Sequence, residues 1–299
     1  MKIRVLGSAA GGGFPQWNCG CANCREGRRP GGRAHPRTQE SVAVSSDDKS
    51  WFLINASPEI RAQLEDNELA ARAPRHTPIA GILLTNGDLD HCLGLLSLRE
   101  SQPLVIWATD AVRAGFTENN VLYRTLERFP GQVTWKRLEL GREQELGDGL
   151  FVSAVPAPGK LPLHLEGLRQ PSPEDNVGLV IRWRDHRVAY FSGVAGPSPE
   201  VERAVSGASV VFFDGTFWSS DELIAAGLGT RRAEEMAHWP IGGPEGSLQF
   251  LSRIESLMTF YIHINNTNPI LIEDSAEQKE VAAADVAVAN DGLELDLVL

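Results

Sequence analysis

Three of the chain's four cysteines fall within six residues, as Cys19-x-Cys21-x-x-Cys24. Thiolates spaced this closely converge on one ion from a tight turn, and a closed structural zinc site takes four such ligands. The stretch also contains a Cys-x-x-Cys pair, but a redox pair of that kind normally stands at a helix start in a thioredoxin-like context. Cys19, Cys21 and Cys24 are therefore read as ligands of a structural Zn2+. The neighbouring sequence offers no fourth ligand; His35, or a residue near His263 such as Asn266, could bring it from elsewhere in the fold. Cys92 is isolated and expected to be buried. A second polar cluster, Asn86-Gly-Asp88-Leu-Asp90-His91, lies between an apolar run and an apolar helix pattern. Alone it would pass for a capping Asp and a surface His. Gly11-Gly12-Gly13 lacks both the Gly-Lys-Ser/Thr of a nucleotide loop and the helix of a dinucleotide fingerprint. It is expected to turn the backbone tightly beside an active site.

The elements that must hold these residues are short. Apolar, β-branched runs at 2–6, 51–55, 81–85, 104–108, 133–138, 151–155, 177–183, 187–192, 209–213 and 257–264 read as strands bounded by Gly, Pro, Asn or Asp. Helices are expected from Ser57-Pro58-Glu59 onward, with Ser as N-cap, and at 109–119, 198–206, 231–236, 246–254 and 275–284. Strand runs follow one another as well as alternating with helices, so the pattern is an α/β (α+β) sandwich of two sheets with outer helices, not a strict βαβ repeat. No internal repeat and no domain boundary stands out, so 1–299 is read as one domain. Two long segments, 25–38 with five Arg and 156–176 with five Pro, read as loops; loops of that length are often functional.

Composition narrows the function. With 28 Lys and Arg against 39 Asp and Glu, the net charge of −11 argues against a polyanion binder, so no nucleic-acid partner is expected. No apolar stretch is long enough to span a membrane. The opening Met-Lys-Ile-Arg-Val-Leu reads as a strand and not as a signal peptide, which makes the cytoplasm the expected compartment.

Residues 83–95, Leu-Leu-Thr-Asn-Gly-Asp-Leu-Asp-His-Cys-Leu-Gly-Leu, resemble the Thr-His-x-His-x-Asp-His signature of the metallo-β-lactamase superfamily, with Asn86 and Asp88 at the positions of the two leading His. Val155–Lys160 resembles the segment carrying the third His, with Gly159 at its position. Tyr190–Gly196 resembles the segment of the metal-bridging Asp, with Gly193 there. Together with the Cys knuckle, Asp214-Gly-Thr-Phe-Trp, His238-Trp-Pro-Ile and His263-Ile-Asn-Asn-Thr-Asn-Pro, these motifs resemble the coenzyme PQQ (pyrroloquinoline quinone) synthesis protein B family from Gly7 to about Asp274. The resemblance implies a metallo-β-lactamase-like αββα sandwich of two mixed sheets, and a role in making the quinone from a peptide precursor.

It also implies a ligand count. A two-zinc hydrolase needs enough ligands for two ions and a bridging hydroxide, and three His and the bridging Asp are replaced. Asp90, His91 and His263 survive, and one carboxylate with two imidazoles is the ligand set of non-haem Fe(II) oxygenases, although it could also hold zinc. Because the phenol ring of a Glu–Tyr precursor must gain oxygen to become an ortho-quinone, the expected activity is O2-dependent hydroxylation of that ring at one divalent ion, Fe2+. Asp88, Asp214 and His238 are the expected catalytic neighbours: the two Asp to orient substrate, bind a second weak ion or act as base, and His238 to donate hydrogen bonds or shuttle protons. The competing readings are a zinc-dependent hydrolase and a non-enzymatic carrier of the quinone or its precursor. The expected partner is a small amino-acid-like precursor, held by cations such as Arg25, Arg28 or Lys160, and a homodimer is the one protein assembly considered.

Overall fold

The computed structural model of the chain describes residues 1–100, 102–118 and 120–298. Two seven-stranded mixed sheets face each other. The first holds β1 (Lys2–Gly7), β2 (Ser41–Ser45), β3 (Trp51–Ile54), β4 (Ile79–Leu83), β5 (Leu104–Ala108) and β6 (Val133–Arg137). The second holds β7 (Glu143–Gly147), β8 (Leu150–Pro156), β9 (Val177–Trp183), β10 (His186–Phe191), β11 (Ala208–Asp214), β12 (Ser256–Ile262) and β13 (Val286–Val288). β14 (Glu294–Asp296) returns to the first sheet and pairs antiparallel with β1. Spatial order is β14-β1-β2-β3-β4-β5-β6 and β13-β12-β11-β10-β9-β8-β7. The runs β3–β6 and β10–β13 are parallel, and the remaining neighbours are antiparallel.

Side chains alternate along each strand, so the two faces of a sheet enter different cores. Val42, Val44, Phe52 and Ile54 pack inward against Val188, Tyr190, Val210 and Phe212 of the second sheet. Ala43, Trp51 and Leu53 turn outward under α2 (Ile60–Asp66), α3 (Leu89–Cys92) and α4 (Asp110–Thr117). Ala189, Phe191, Val211 and Phe213 turn outward under α5 (Pro199–Val205), α7 (Ser247–Leu251) and α8 (Ala276–Ala283). Strands buried on both faces read as unbroken apolar runs, and the result is the expected αββα sandwich.

Two short helices were not expected. α1 (Ala22–Arg28) overlaps the segment read as an Arg-rich loop, and α6 (Glu222–Ala225) follows the Asp-Gly-Thr-Phe-Trp motif. The helix expected from Pro58 begins at Ile60; Ser57 Oγ instead accepts from Glu59 N–H in the turn before it. Residues 231–236, expected as a helix, hold only a 3-10 turn at Glu234–Met236. Thr109 caps α4 by accepting from Val112 N–H; that helix ends at Thr117, and Asn119, its expected end, lies outside the described residues. Among the described residues no helix is long and apolar enough to cross a membrane.

Candidate metal centre

The site forms where strands of both sheets end. β4 leads through Thr85–Asp88 to α3, which carries Asp90 and His91; β11 ends on Asp214; β12 ends one residue before His263. Behind β1, Ala9 bridges to both Gln39 and Ile264 and so ties the two sheets at this edge. The glycine run turns here: Gly12 and Gly13 have φ of +92° and +67°. A Cβ on Gly11 would stand 3.2 Å from Asp90 Oδ2. The backbone passes that close to the carboxylate because glycine allows it.

Three ligand atoms converge. His91 Nε2 and His263 Nε2 are 3.2 Å apart, and Asp90 Oδ2 lies 3.1 Å from the latter and 3.6 Å from the former. Ligand atoms about 2.1 Å from one tetrahedral or octahedral ion stand roughly 3–3.5 Å from one another, so the spacing fits a single ion. Both imidazoles turn their other nitrogen inward. His263 Nδ1 is 2.8 Å from Thr216 Oγ1, whose hydroxyl donates to Asp214 Oδ1 at 2.6 Å. His91 Nδ1 faces Glu40 Oε1 at 3.1 Å. Burial opposes the Asp90 carboxylate, but His91 and His263 outweigh it and hold its pKa well below the usual range. Burial likewise opposes a charged His91, but Asp90 and Glu40 outweigh it and raise the imidazole to about 9.

The expected catalytic neighbours divide. His238 lines the pocket, with Nδ1 2.8 Å from Asp214 Oδ2 and its ring stacked 5.4 Å from that of His263. Asp88 also lines the pocket, half-buried. Asp214 does not: it is fully buried and receives hydrogen bonds from Val194 N–H, Thr216 N–H, the Thr216 hydroxyl and His238. Asp214, expected beside the substrate, does not line the cavity; its oxygens meet Thr216 and His238 instead, and Asp214, His238 and His263 form a second group whose ligand atoms lie within 4.8 Å of one another.

At Gly159 and Gly193, where the resemblance would place a His and an Asp, the space beside the backbone holds the Asn176 amide. Asn176 Nδ2 donates to Gly193 O at 2.9 Å, and a Cβ on Gly159 would stand 2.5 Å from the same nitrogen. Asn86 Nδ2 reaches Asn176 Oδ1 at 3.5 Å. The cavity beside the three ligands measures about 410 Å³. Leu163, Phe217, Leu223 and Met236 give it apolar walls, and Lys160 and Arg231 give it two cations. Arg231 went unnoticed in the sequence, where it opens, beside Arg232, a segment expected to be helical. Arg25 and Arg28, expected near the pocket, instead donate to the carbonyls of Gly20 and Cys19 and brace the knuckle.

At the knuckle, Cys19, Cys21 and Cys24 sulfurs gather within 4.8 Å of one another. Cys21 caps α1, so the Cys-x-x-Cys pair does begin a helix, but Cys19 and Asn266 crowd the same point. The Asn266 amide lies 3.3, 3.7 and 3.4 Å from the three sulfurs. His35 is elsewhere, exposed and paired with Glu273 at 2.8 Å. Burial pushes the Cys24 thiol up to about 11. Cys92 is buried, with its sulfur on Gly87 O.

Residues 50–264 match the model of the Beta-lactamase superfamily domain. The coenzyme PQQ synthesis protein B of Methylobacterium radiotolerans is 42% identical over 302 residues, covering 99% of this chain and 100% of that protein. The chain belongs to the coenzyme PQQ synthesis protein B family. A crystal structure of zinc-bound PqqB from Methylobacterium extorquens superposes with a TM-score of 0.94 at 42% identity, over 99% of this chain and 100% of that one. A diphosphatase of the PhnP family superposes with a TM-score of 0.69 at 20% identity, over 100% of this chain and 98% of that one, and shares the fold. Within the PQQ synthesis protein B family frame, Glu40, Asn55, Thr216 and Asn176 are the site residues that sequence reasoning missed. Glu40, Asn55 and Asn176 are common polar residues whose partners lie 15 or more positions away, and no spacing marks them; Thr216 stands inside the Asp-Gly-Thr motif, two residues from its acceptor Asp214.

Proposed function

We propose that this chain, acting as one domain over 1–299, takes part in PQQ biosynthesis by hydroxylating the Tyr ring of a small Glu–Tyr-derived precursor. The observation that carries the reading is the convergence of one carboxylate and two imidazoles, Asp90, His91 and His263, beside a cavity with room for a ring. That donor set suits a divalent first-row ion, and Fe2+ bound there would supply O2 activation with coordination positions left for substrate. Cys19, Cys21 and Cys24 would hold a separate structural Zn2+, with the Asn266 amide, turned over to present its oxygen, as fourth ligand.

The chain's own groups supply binding and proton handling. Leu163, Phe217 and Met236 fit the faces of an aromatic ring, while Lys160 and Arg231 pair with the carboxylates of an acidic substrate. His238, oriented by Asp214 through Nδ1, presents Nε2 to exchange protons with the phenol. In the balanced reaction one oxygen atom of O2 enters the ring C–H bond. The other leaves as water, with two electrons and two protons from an added reductant of the ascorbate class.

Anaerobic protein loaded with Fe(II), supplied with a cross-linked Glu–Tyr substrate and ascorbate, tests this when oxygen is admitted. The expected result is O2 uptake and a product heavier by one oxygen atom. Turnover under argon with zinc would establish the hydrolase instead, and tight quinone binding with no turnover under either condition would establish the carrier.

A further inference from the structure

Glu40 has no part in the reaction above, yet it is an enclosed acid in direct contact with a candidate metal ligand. It stands immediately before β2, 1% exposed, between the two sheets. A buried carboxylate is costly unless hydrogen bonds and a countercharge meet it. Here the Tyr190 hydroxyl donates to Oε2 from β10 of the opposite sheet. Asn55 Nδ2 donates to Oε1 at 2.6 Å, and His91 Nδ1 lies 3.1 Å from the same oxygen.

The orientation of Asn55 is settled by its other end. Its Oδ1 accepts from Thr85 N–H at 3.0 Å, so Nδ2 must face Glu40 and His91. Asn55 Nδ2 and His91 Nδ1 are 2.8 Å apart, which permits two arrangements of the neutral ring, the form that can ligate a metal. If Asn55 donated into a bare Nδ1, a buried carboxylate would face a nitrogen lone pair at 3.1 Å, and the ring proton would sit on Nε2. If Nδ1 carries the proton, both nitrogens donate to one charged oxygen, the stronger acceptor, and Nε2 is left bare toward Asp90 and His263.

We infer that Glu40 is a positioning residue: held by Tyr190 and Asn55, it takes the Nδ1 proton of His91 as a hydrogen bond and so keeps Nε2 free to ligate a divalent first-row cation. It also places a second negative charge behind that cation, in the way that outer carboxylates raise the basicity of ligating imidazoles. The inference rests on reading Asp90, His91 and His263 as a metal site.

Zinc-loaded wild type, Glu40→Gln and Tyr190→Phe are titrated with a competing chelator and the zinc per chain is counted, with thermal melts to show that each is folded. Wild type is expected to hold two equivalents. Glu40→Gln should release the second at roughly 10–100-fold lower chelator concentration while keeping the knuckle equivalent, and Tyr190→Phe should shift it less. A folded Glu40→Gln that holds both ions as tightly as wild type overturns the inference. Should that variant not fold, nitrogen-15 spectra of zinc-loaded wild type decide it: a far-downfield His91 Nδ1 proton is expected, and a proton on Nε2 overturns it. Wild type that never holds more than the knuckle ion overturns the metal reading itself, a different failure from an unaffected Glu40→Gln.

Discussion

His91 presents one nitrogen to the pocket and the other to the buried interior, and both carry consequences. Its pKa of about 9, raised by Asp90 and Glu40 against the effect of burial, means that without a metal the ring is charged at neutral pH. Metal must displace that proton, so apparent affinity should rise about tenfold per pH unit from pH 6 toward 9 and then level. Chelator competition across that range, on protein whose knuckle is already filled, checks this; a flat profile contradicts ligation by His91. The three candidate ligands were legible because they keep the order and spacing of a known signature. Glu40 was not: its partners are Asn55, His91 and Tyr190, the last 150 positions away, and only the packing of one sheet on the other brings them together.

Among the elements, those with both faces buried were easiest to read. β5 and β9 match their expected bounds. β2, Ser-Val-Ala-Val-Ser, was missed because serines close both its ends, although all five residues are buried. β7 is a polar edge strand of Glu-Gln-Glu-Leu-Gly, and β13 and β14 have three residues each, too few for a period to show. α1 was hidden by its glycine and arginines, and it exists where Cys21 caps it and Arg25 and Arg28 tie it back to the knuckle. The knuckle in turn holds Asn266, three residues beyond His263, whose own φ of +59° is one that non-glycine residues seldom adopt. Cys21→Ser is therefore expected to lose the knuckle zinc, to destabilise the fold by roughly 3 kcal/mol and to weaken the ion at His263 as well. Metal counting and a thermal melt read both effects, and a variant with unchanged zinc and melting contradicts the structural-zinc assignment.

At the scale of the molecule, the sandwich matters because it brings the ends of β1, β4, β11 and β12 to one edge, where residues from 10 to 265 share a cavity. The sheet count and outer helices followed from the run pattern, and the αββα arrangement from the family resemblance. The Asn176 amide beside Gly159 and Gly193 did not follow, because two glycines leave a space without saying what fills it. A net charge of −11 makes the two cations at the pocket, Lys160 and Arg231, the more telling for an acidic substrate. The central claim is that one ion at Asp90, His91 and His263 serves ring hydroxylation. The most direct measurement is single-turnover reaction of the Fe(II)-loaded protein with the Glu–Tyr substrate under oxygen-18 gas, with the product trapped as the catechol. The account predicts that the new hydroxyl carries the heavy isotope. Label entering only from oxygen-18 water, or product forming without O2, would contradict it.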